Sequence, residues 1–188
     1  EAVLCDALAV ALKGLRKLGR LLDGSMKPPK IAVVGAGPIG HLCAQVLVRR
    51  EYPVTVFDRN PNRLGCFDRT LISTGSDLDE IADYNVLIEA TGDQGSLQQM
   101  LQKSSPSATL LLLGLPYSHR QFTIQGGLES DKTIIWSIGA ESEDFREAVH
   151  LLPDLPMSSL TECVVPMPQF NEAWDLFRQG DHLKVLLE

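Results

Sequence analysis

The stretch "KPPKIAVVGAGPIGHLCAQVL", Lys27 to Leu47, decides the fold. Its opening "IAVVGA" is an apolar run with β-branched residues and reads as a strand buried on both faces. Gly35, Gly37 and Gly40 follow in G-x-G-x-x-G spacing, and "GPIGHLCAQVLVRR" reads as a helix. Glycine-rich turns serve many purposes, so the spacing alone is weak. Here a strand precedes it, a helix follows, and a second strand, "PVTVFD", ends in Asp58 about 20 residues on. That order is the fingerprint of a dinucleotide loop. Gly35 permits the tight turn, Gly37 lets a pyrophosphate approach the backbone, and Gly40 lets helix and strand pack closely. The first helical turn, with Pro38 and Ile39, offers free N–H groups and a positive dipole end to phosphates. Pro38 costs nothing there, because its missing N–H would have had no helical partner. Asp58 is placed to accept hydrogen bonds from the adenosine ribose hydroxyls and to repel a 2′-phosphate, which favours NAD over NADP. Arg59 pulls the other way, since an adjacent guanidinium can pair with a phosphate or stack on adenine.

Outward from the loop, "LCDALAVALKGLRKLGRLL" carries Leu4, Leu8, Leu12, Leu15, Leu18 and Leu22 at three- and four-residue steps. This predicts an amphipathic helix from Val3 to Leu22 with Lys13, Arg16, Lys17 and Arg20 on its wet side. Gly24 is the expected cap, and Pro28-Pro29 bar continuation. Downstream, "NPNRL" opens a short helix, "RTLIST" reads as a strand and "SDLDEIAD" as a short helix. "NVLIEATG" is a strand, "SLQQMLQK" a helix, and "ATLLLLGLP", "QFTIQ" and "KTIIWSIG" are three further strands. "EDFREAVHLL" is a helix, "ECVVPM" a strand, "FNEAWDLFRQG" a helix and "LKVLLE" a final strand. Apolar strands alternating with helices predict an α/β fold: a doubly wound Rossmann-type parallel sheet in three αβα layers.

A content of 44% hydrophobic and 22% charged residues suits a packed core and argues against wholesale disorder. The formal charge of −7 argues against a nucleic-acid partner, which needs a basic face. No apolar run approaches the roughly 20 residues of a membrane helix. Cys5, Cys43, Cys66 and Cys163 lie far apart with no C-x-x-C pair, so neither a local zinc knuckle nor a disulfide framework is expected. Reduced thiols in a cytoplasmic protein fit this pattern. A start at Glu1 rather than Met is expected of a processed protein or a piece of a longer one.

The order of motifs resembles the cofactor-binding half of the medium-chain dehydrogenases/reductases, the zinc alcohol, sorbitol and threonine dehydrogenase group. "VVGAGPIGHLCAQV" resembles that family's nucleotide loop, "VFDRNPNRL" the end of its second strand and "NVLIEATG" its fourth. "LLLLGLP" and "KTIIWSIG" resemble the fifth and sixth strands, and "FNEAWDLFRQGDHLKVLLE" the closing helix and strand. "CDALAVALKGLRKLG" resembles the helix leading into the cofactor domain. The resemblance implies a linking helix over 1–26, an NAD(P)-binding Rossmann domain over 27–162, and a closing helix and strand over 163–188 that return toward an absent catalytic domain. It places Arg63 near the adenosine end, Thr91 and Gly92 on the nicotinamide-ribose side, and Gly114 and Leu115 beside the nicotinamide. Backbone groups of Trp136 and Ile138 would lie near the carboxamide. Implied with them are a dinucleotide partner, an alcohol or carbonyl substrate in the parent protein, and a possible homodimer along the sheet edge at "TIIWSIG". A non-catalytic NAD(H) sensor is the alternative from another class.

Three departures stand against the family pattern. The stretch between Arg63 and Asn85 is short, so the third strand must be trimmed. No G-H-E motif and no cluster of four close cysteines occur, so the chain itself is expected to hold no catalytic residue and no metal. The "E-P" that opens the family's linking helix reads Asp6-Ala7 here. Zinc is expected only in a longer parent, where Asp6 would be a zinc-proximal carboxylate or simply a helix-start acid favoured by the dipole. Among other candidates, His41 reads as a surface or packing histidine, and His119-Arg120 as a loop within reach of substrate or cofactor. His150 and His182 read as solvated, Glu89 as hydrogen-bonded structure on a buried strand, and Trp136 and Trp174 as core or interface.

Overall fold

The structure, a computed structural model, describes residues 2–23, 28–115 and 123–188. Gly24 and the His119-Arg120 pair lie outside the described residues. A single 3-10 turn, Ala2–Leu4, runs into helix α1, Cys5–Asp23. Strand β1, Ile31–Val34, leads to helix α2, Pro38–Arg49, and β2, Val54–Phe57, to the short helix α3, Pro61–Leu64. After β3, Ser73–Gly75, comes a 3-10 segment, Leu78–Asp83. Next are β4 (Val86–Glu89), α4 (Gln94–Lys103), β5 (Thr109–Leu112), the short α5 (Gln125–Glu129) and β6 (Thr133–Trp136). Helices α6 (Ser142–Leu151) and α7 (Ser158–Thr161) precede β7 (Cys163–Val165), α8 (Phe170–Gln179) and β8 (Val185–Leu187).

Six strands form one parallel sheet in the order β3-β2-β1-β4-β5-β6. This is the doubly wound order with its switch point between β1 and β4. Strand alternation divides the core. Ile31, Val33, Val86, Ile88 and Leu111 face one side, while Ala32, Val34, Leu87, Leu110 and Leu112 face the other. The first side is covered by α1, α2 and α6, the second by α4 and the 3-10 segment. Leu4 of the 3-10 turn and Leu8, Leu12, Leu15 and Leu18 of α1 are wholly or almost wholly buried in the larger cluster. At about 2 kcal/mol for each buried leucine, α1 is part of the same packed unit as the strands it precedes.

Two local expectations fail. "QFTIQ" is no strand where it is described. Gly127 and Leu128 donate their N–H groups to the Ile124 carbonyl at 2.9 and 3.2 Å, which starts the turn of α5. The small Gly126 then lies against the Leu101 carbonyl at the end of α4, an approach that a strand side chain would block. "RTLIST" contributes only its last two residues to β3, consistent with a trimmed third strand. The tail strands β7 and β8 pair in parallel with each other as a separate two-stranded sheet.

The basic side of α1 is not simply wet. Lys17 Nζ donates to the Trp136 carbonyl at 2.5 Å and Lys13 Nζ to that of Ile138 at 3.3 Å. Arg16 reaches both oxygens of Asp144, a carboxylate only 1% exposed. Asp144 also accepts from the Glu141 N–H, completing a capping box at the start of α6. The charged face of α1 therefore grips the exit of β6 and the first turn of α6.

Candidate cofactor cleft

All six main-sheet strands run in parallel, so their carboxyl ends meet at one edge, and a cleft of about 410 Å³ opens there. Of the residues singled out in the sequence, Gly35, Gly37, Asp58, Arg59, Arg63 and Thr91 line it. Gly35 takes φ +106°, and a Cβ there would press on Thr91 Cγ2 at 2.8 Å. A Cβ on Gly40 would meet the Gly35 carbonyl oxygen at 1.8 Å, so loop and helix touch backbone to backbone. Gly37 is different: a Cβ there would meet nothing within 4 Å. Two glycines of the motif are demanded by packing, and the third faces space. Gly37 is also the N-cap of α2 and supplies no side-chain acceptor to the first turn, where Pro38 and Ile39 sit.

Asp58, half-buried at the end of β2, accepts from the Ala36 N–H at 2.7 Å and from the Asn60 N–H at 2.8 Å. One carboxylate thus joins the glycine loop to the loop after β2. A carboxylate offers about four lone-pair sites, so acceptors remain for hydroxyl donors from the cleft. Arg59 is exposed, and Arg63 Nε is buried with no hydrogen-bond partner among the described residues. Gly92, at φ +67°, Gly114 and Leu115 pack against one another beyond β4 and outside the lining. Trp136 and Ile138 are 63% and 68% exposed at the exit of β6, with their carbonyls held by the α1 lysines. Trp174 is 58% exposed, so neither tryptophan is a core residue.

The cleft also includes residues to which sequence reasoning gave no site role, apart from Asp93, which it placed beside a site-facing turn. Ser76, Asp77 and Leu78 come from the exit of β3, and Asp93, Gly95, Ser96 and Gln99 from the start of α4. One signal was available: Asp93 accepts from the Ser96 N–H at 2.8 Å, the D-x-x-S pattern of a capped helix start facing the cleft. The exit of β3 carried no such mark, because its position depends on how the shortened 65–85 segment folds back onto β2.

Glu89 is 3% exposed, and its side chain accepts N–H bonds from Thr91 at 2.7 Å and Gly92 at 3.0 Å, as well as the Thr91 hydroxyl. Burial pushes its pKa up, and these donors pull it back. His41 is fully buried, stacked on Phe67 with ring centroids 4.5 Å apart. Burial lowers its pKa to about 4. Packing, not surface, is its setting. His182 is not free in solvent either: it is half-buried, with Nδ1 3.6 Å from a Glu162 carboxylate oxygen. Asp6 is exposed at the start of α1, and no group of three His, Cys, Asp or Glu among the described residues is arranged to hold a metal.

A family profile described as "Glucose dehydrogenase C-terminus" matches residues 1–188, the whole chain. The chain belongs to that family. The chain is 29% identical over 211 aligned positions to glucose 1-dehydrogenase of Thermoproteus tenax, covering all of this chain and 58% of that protein. The alcohol dehydrogenase TADH of Thermus sp. ATN1 superposes with a TM-score of 0.82 at 22% identity, over 99% of this chain and 57% of that one. Glucose dehydrogenase of Haloferax mediterranei, solved in complex with NADP, Zn and gluconolactone, gives 0.71 at 20% identity, over 89% of this chain and 53% of that one. The resemblance to the medium-chain dehydrogenases holds for family and fold, and the chain spans between half and three-fifths of these relatives. No helix among the described residues is long and apolar enough to cross a membrane.

Proposed function

We propose that this chain is the NAD-binding domain of a dehydrogenase that moves hydride between an alcohol or carbonyl substrate and nicotinamide. The observation that carries this is the glycine loop. Gly35 and Gly40 have no room for a Cβ, while Gly37, between them, opens onto the cleft with Asp58 on the same wall. Packing alone explains two of these glycines and leaves the third for a ligand that must approach the backbone closely. The relatives support the enzyme class, since they are named as dehydrogenases. The alternative of a non-catalytic sensor draws no support from them.

In this proposal the pyrophosphate rests on Gly37 and the first turn of α2, with Pro38, Ile39 and Gly40 behind it. Asp58 accepts from the adenosine ribose, flanked by Arg59 and Arg63. Arg63 brings a buried donor in want of an acceptor. Thr91, Gly92, Gly114 and Leu115 border the nicotinamide side, and backbone groups of Trp136 and Ile138 the carboxamide. Bound NAD supplies the hydride acceptor, while this chain binds and orients it. Substrate contacts and any zinc belong to the rest of a longer parent protein. Four free thiols suit a cytoplasmic location, and the β6 edge suits a homodimer.

The Haloferax relative was solved with NADP, so cofactor choice is the sharpest point to test. Titration calorimetry with NAD and NADP is expected to show tighter binding of NAD. Absence of heat with both would remove the proposal, and tighter NADP binding would remove the role given to Asp58.

A further inference from the structure

Glu89 is a buried charge where its neighbours in register are apolar. It ends β4 opposite Val34 on β1 and Leu112 on β5. A side chain needed only to fill that layer would be apolar too, because burying a carboxylate is expensive unless it is hydrogen-bonded. The bonds it makes account for its being there. Its side chain holds the Thr91 N–H, the Gly92 N–H and the Thr91 hydroxyl. Its backbone carbonyl accepts from Leu113 at 2.9 Å and Gly114 at 3.1 Å. One residue therefore fixes the chain leaving β4 and the chain leaving β5.

These two exits approach each other closely at glycines. A Cβ on Gly114 would lie 2.2 Å from the Gly92 nitrogen and 2.3 Å from Glu89 Oε2. One on Gly92 would lie 2.5 Å from the Leu115 carbonyl oxygen, and Gly35 rests on Thr91 and Ala90. Thr91 passes the order on: its hydroxyl oxygen accepts from the Asp93 N–H at 2.9 Å, at the start of α4. Glu89 itself is not in the cleft wall, whereas Thr91 is.

We propose that Glu89 is a positioning residue for the nicotinamide half of the cleft, holding the β4 and β5 exits at the spacing the cofactor needs while leaving the adenosine half independent. This rests on the cofactor reading above. The adenosine half is organised separately, by Asp58 between the glycine loop and the loop after β2.

The test compares a whole dinucleotide with its adenosine half. NADH and ADP are titrated into the 188-residue chain and into Glu89→Gln, in which an amide N–H₂ replaces one acceptor oxygen. NADH affinity is expected to fall by about tenfold or more, while ADP affinity stays within about twofold. Amide hydrogen exchange without ligand is expected to quicken at Gly92 and Gly114 but not at Ala36 or Asn60. Should Glu89→Gln fail to fold, Thr91→Val removes only the hydroxyl link and is expected to show the same split more weakly, with Thr91→Ser restoring NADH binding. Parallel loss of NADH and ADP, or unchanged NADH affinity in a folded variant, overturns the positioning role. If the unaltered chain binds neither ligand, the cofactor reading itself fails, and the exchange measurement alone then decides whether Glu89 holds the two exits.

Discussion

Gly37 and Gly40 stand three positions apart under opposite constraints, one facing space and the other a carbonyl oxygen at 1.8 Å from where its Cβ would be. Gly40→Ala is therefore expected to destabilise the domain by roughly 1–3 kcal/mol, because the obstacle is backbone and cannot rotate away. Gly37→Ala is expected to fold within about 0.5 kcal/mol of the unaltered chain yet bind NADH poorly. Urea denaturation and NADH titration on both variants separate the two roles. The glycine loop was legible in the sequence because its constraint acts on the backbone, where glycine is the visible answer. His41 was less so, since its burial depends on Phe67 and Ser159, distant in the chain and brought over it only by folding. Its ring stays neutral down to about pH 4 in the fold but takes a proton near 6.5 when unfolded. The unfolded state thus binds more protons in that window, and stability falls as pH drops from about 6.5 toward 4. The full loss is on the order of 3 kcal/mol. Denaturation midpoints of His41→Leu across this range are expected to lose that part of the slope.

Helix α1 shows what periodicity conveys and what it leaves out. The leucine spacing located the helix and its buried face correctly. It could say only that the basic face lies away from the leucines, not that β6 and α6 come to lie over it. Lys13, Arg16 and Glu141 carry surface ion pairs, screened by salt, whereas Asp144 is buried. Arg16→Ala is expected to lower stability at low ionic strength. Only the share owed to the exposed Glu141 and Glu143 shrinks at about 1 M salt, since the Asp144 carboxylate that Arg16 also pairs is buried. Asp144→Ala is expected to cost about 1 kcal/mol at either, since it also removes the capping box of α6. Thermal melts at the two salt concentrations check both. The start of the third strand and the state of "QFTIQ" were misjudged for a related reason. Short β-branched runs carry little periodic information, and here neighbouring chain decides: the β2 exit for one, the end of α4 for the other.

Across the whole molecule, the apolar surface is uneven. Phe170, Trp174 and Phe177 of α8 are 58%, 58% and 59% exposed around a hollow of about 460 Å³ floored by β8. A cluster of exposed aromatic side chains is a contact surface or a liability. The isolated chain is expected to bind an apolar dye there. Trp174→Ser with Phe177→Ser should reduce that signal with little change in melting temperature.

The two borders of the main sheet are also unlike. At one end β3 offers only Ser73–Gly75, and at the other β6 offers four residues with Trp136 exposed beside them. A second copy that paired along β6 would use up the longer border of the main sheet among the described residues. What remained on either side would be a strand too short to recruit a third. Growth by strand addition would therefore stop at a closed, two-fold pair and would not propagate as a fibre. Were copies to pair in this way, the trimming of the 65–85 segment would limit how many can join, and light scattering at rising concentration would level off at the mass of two chains.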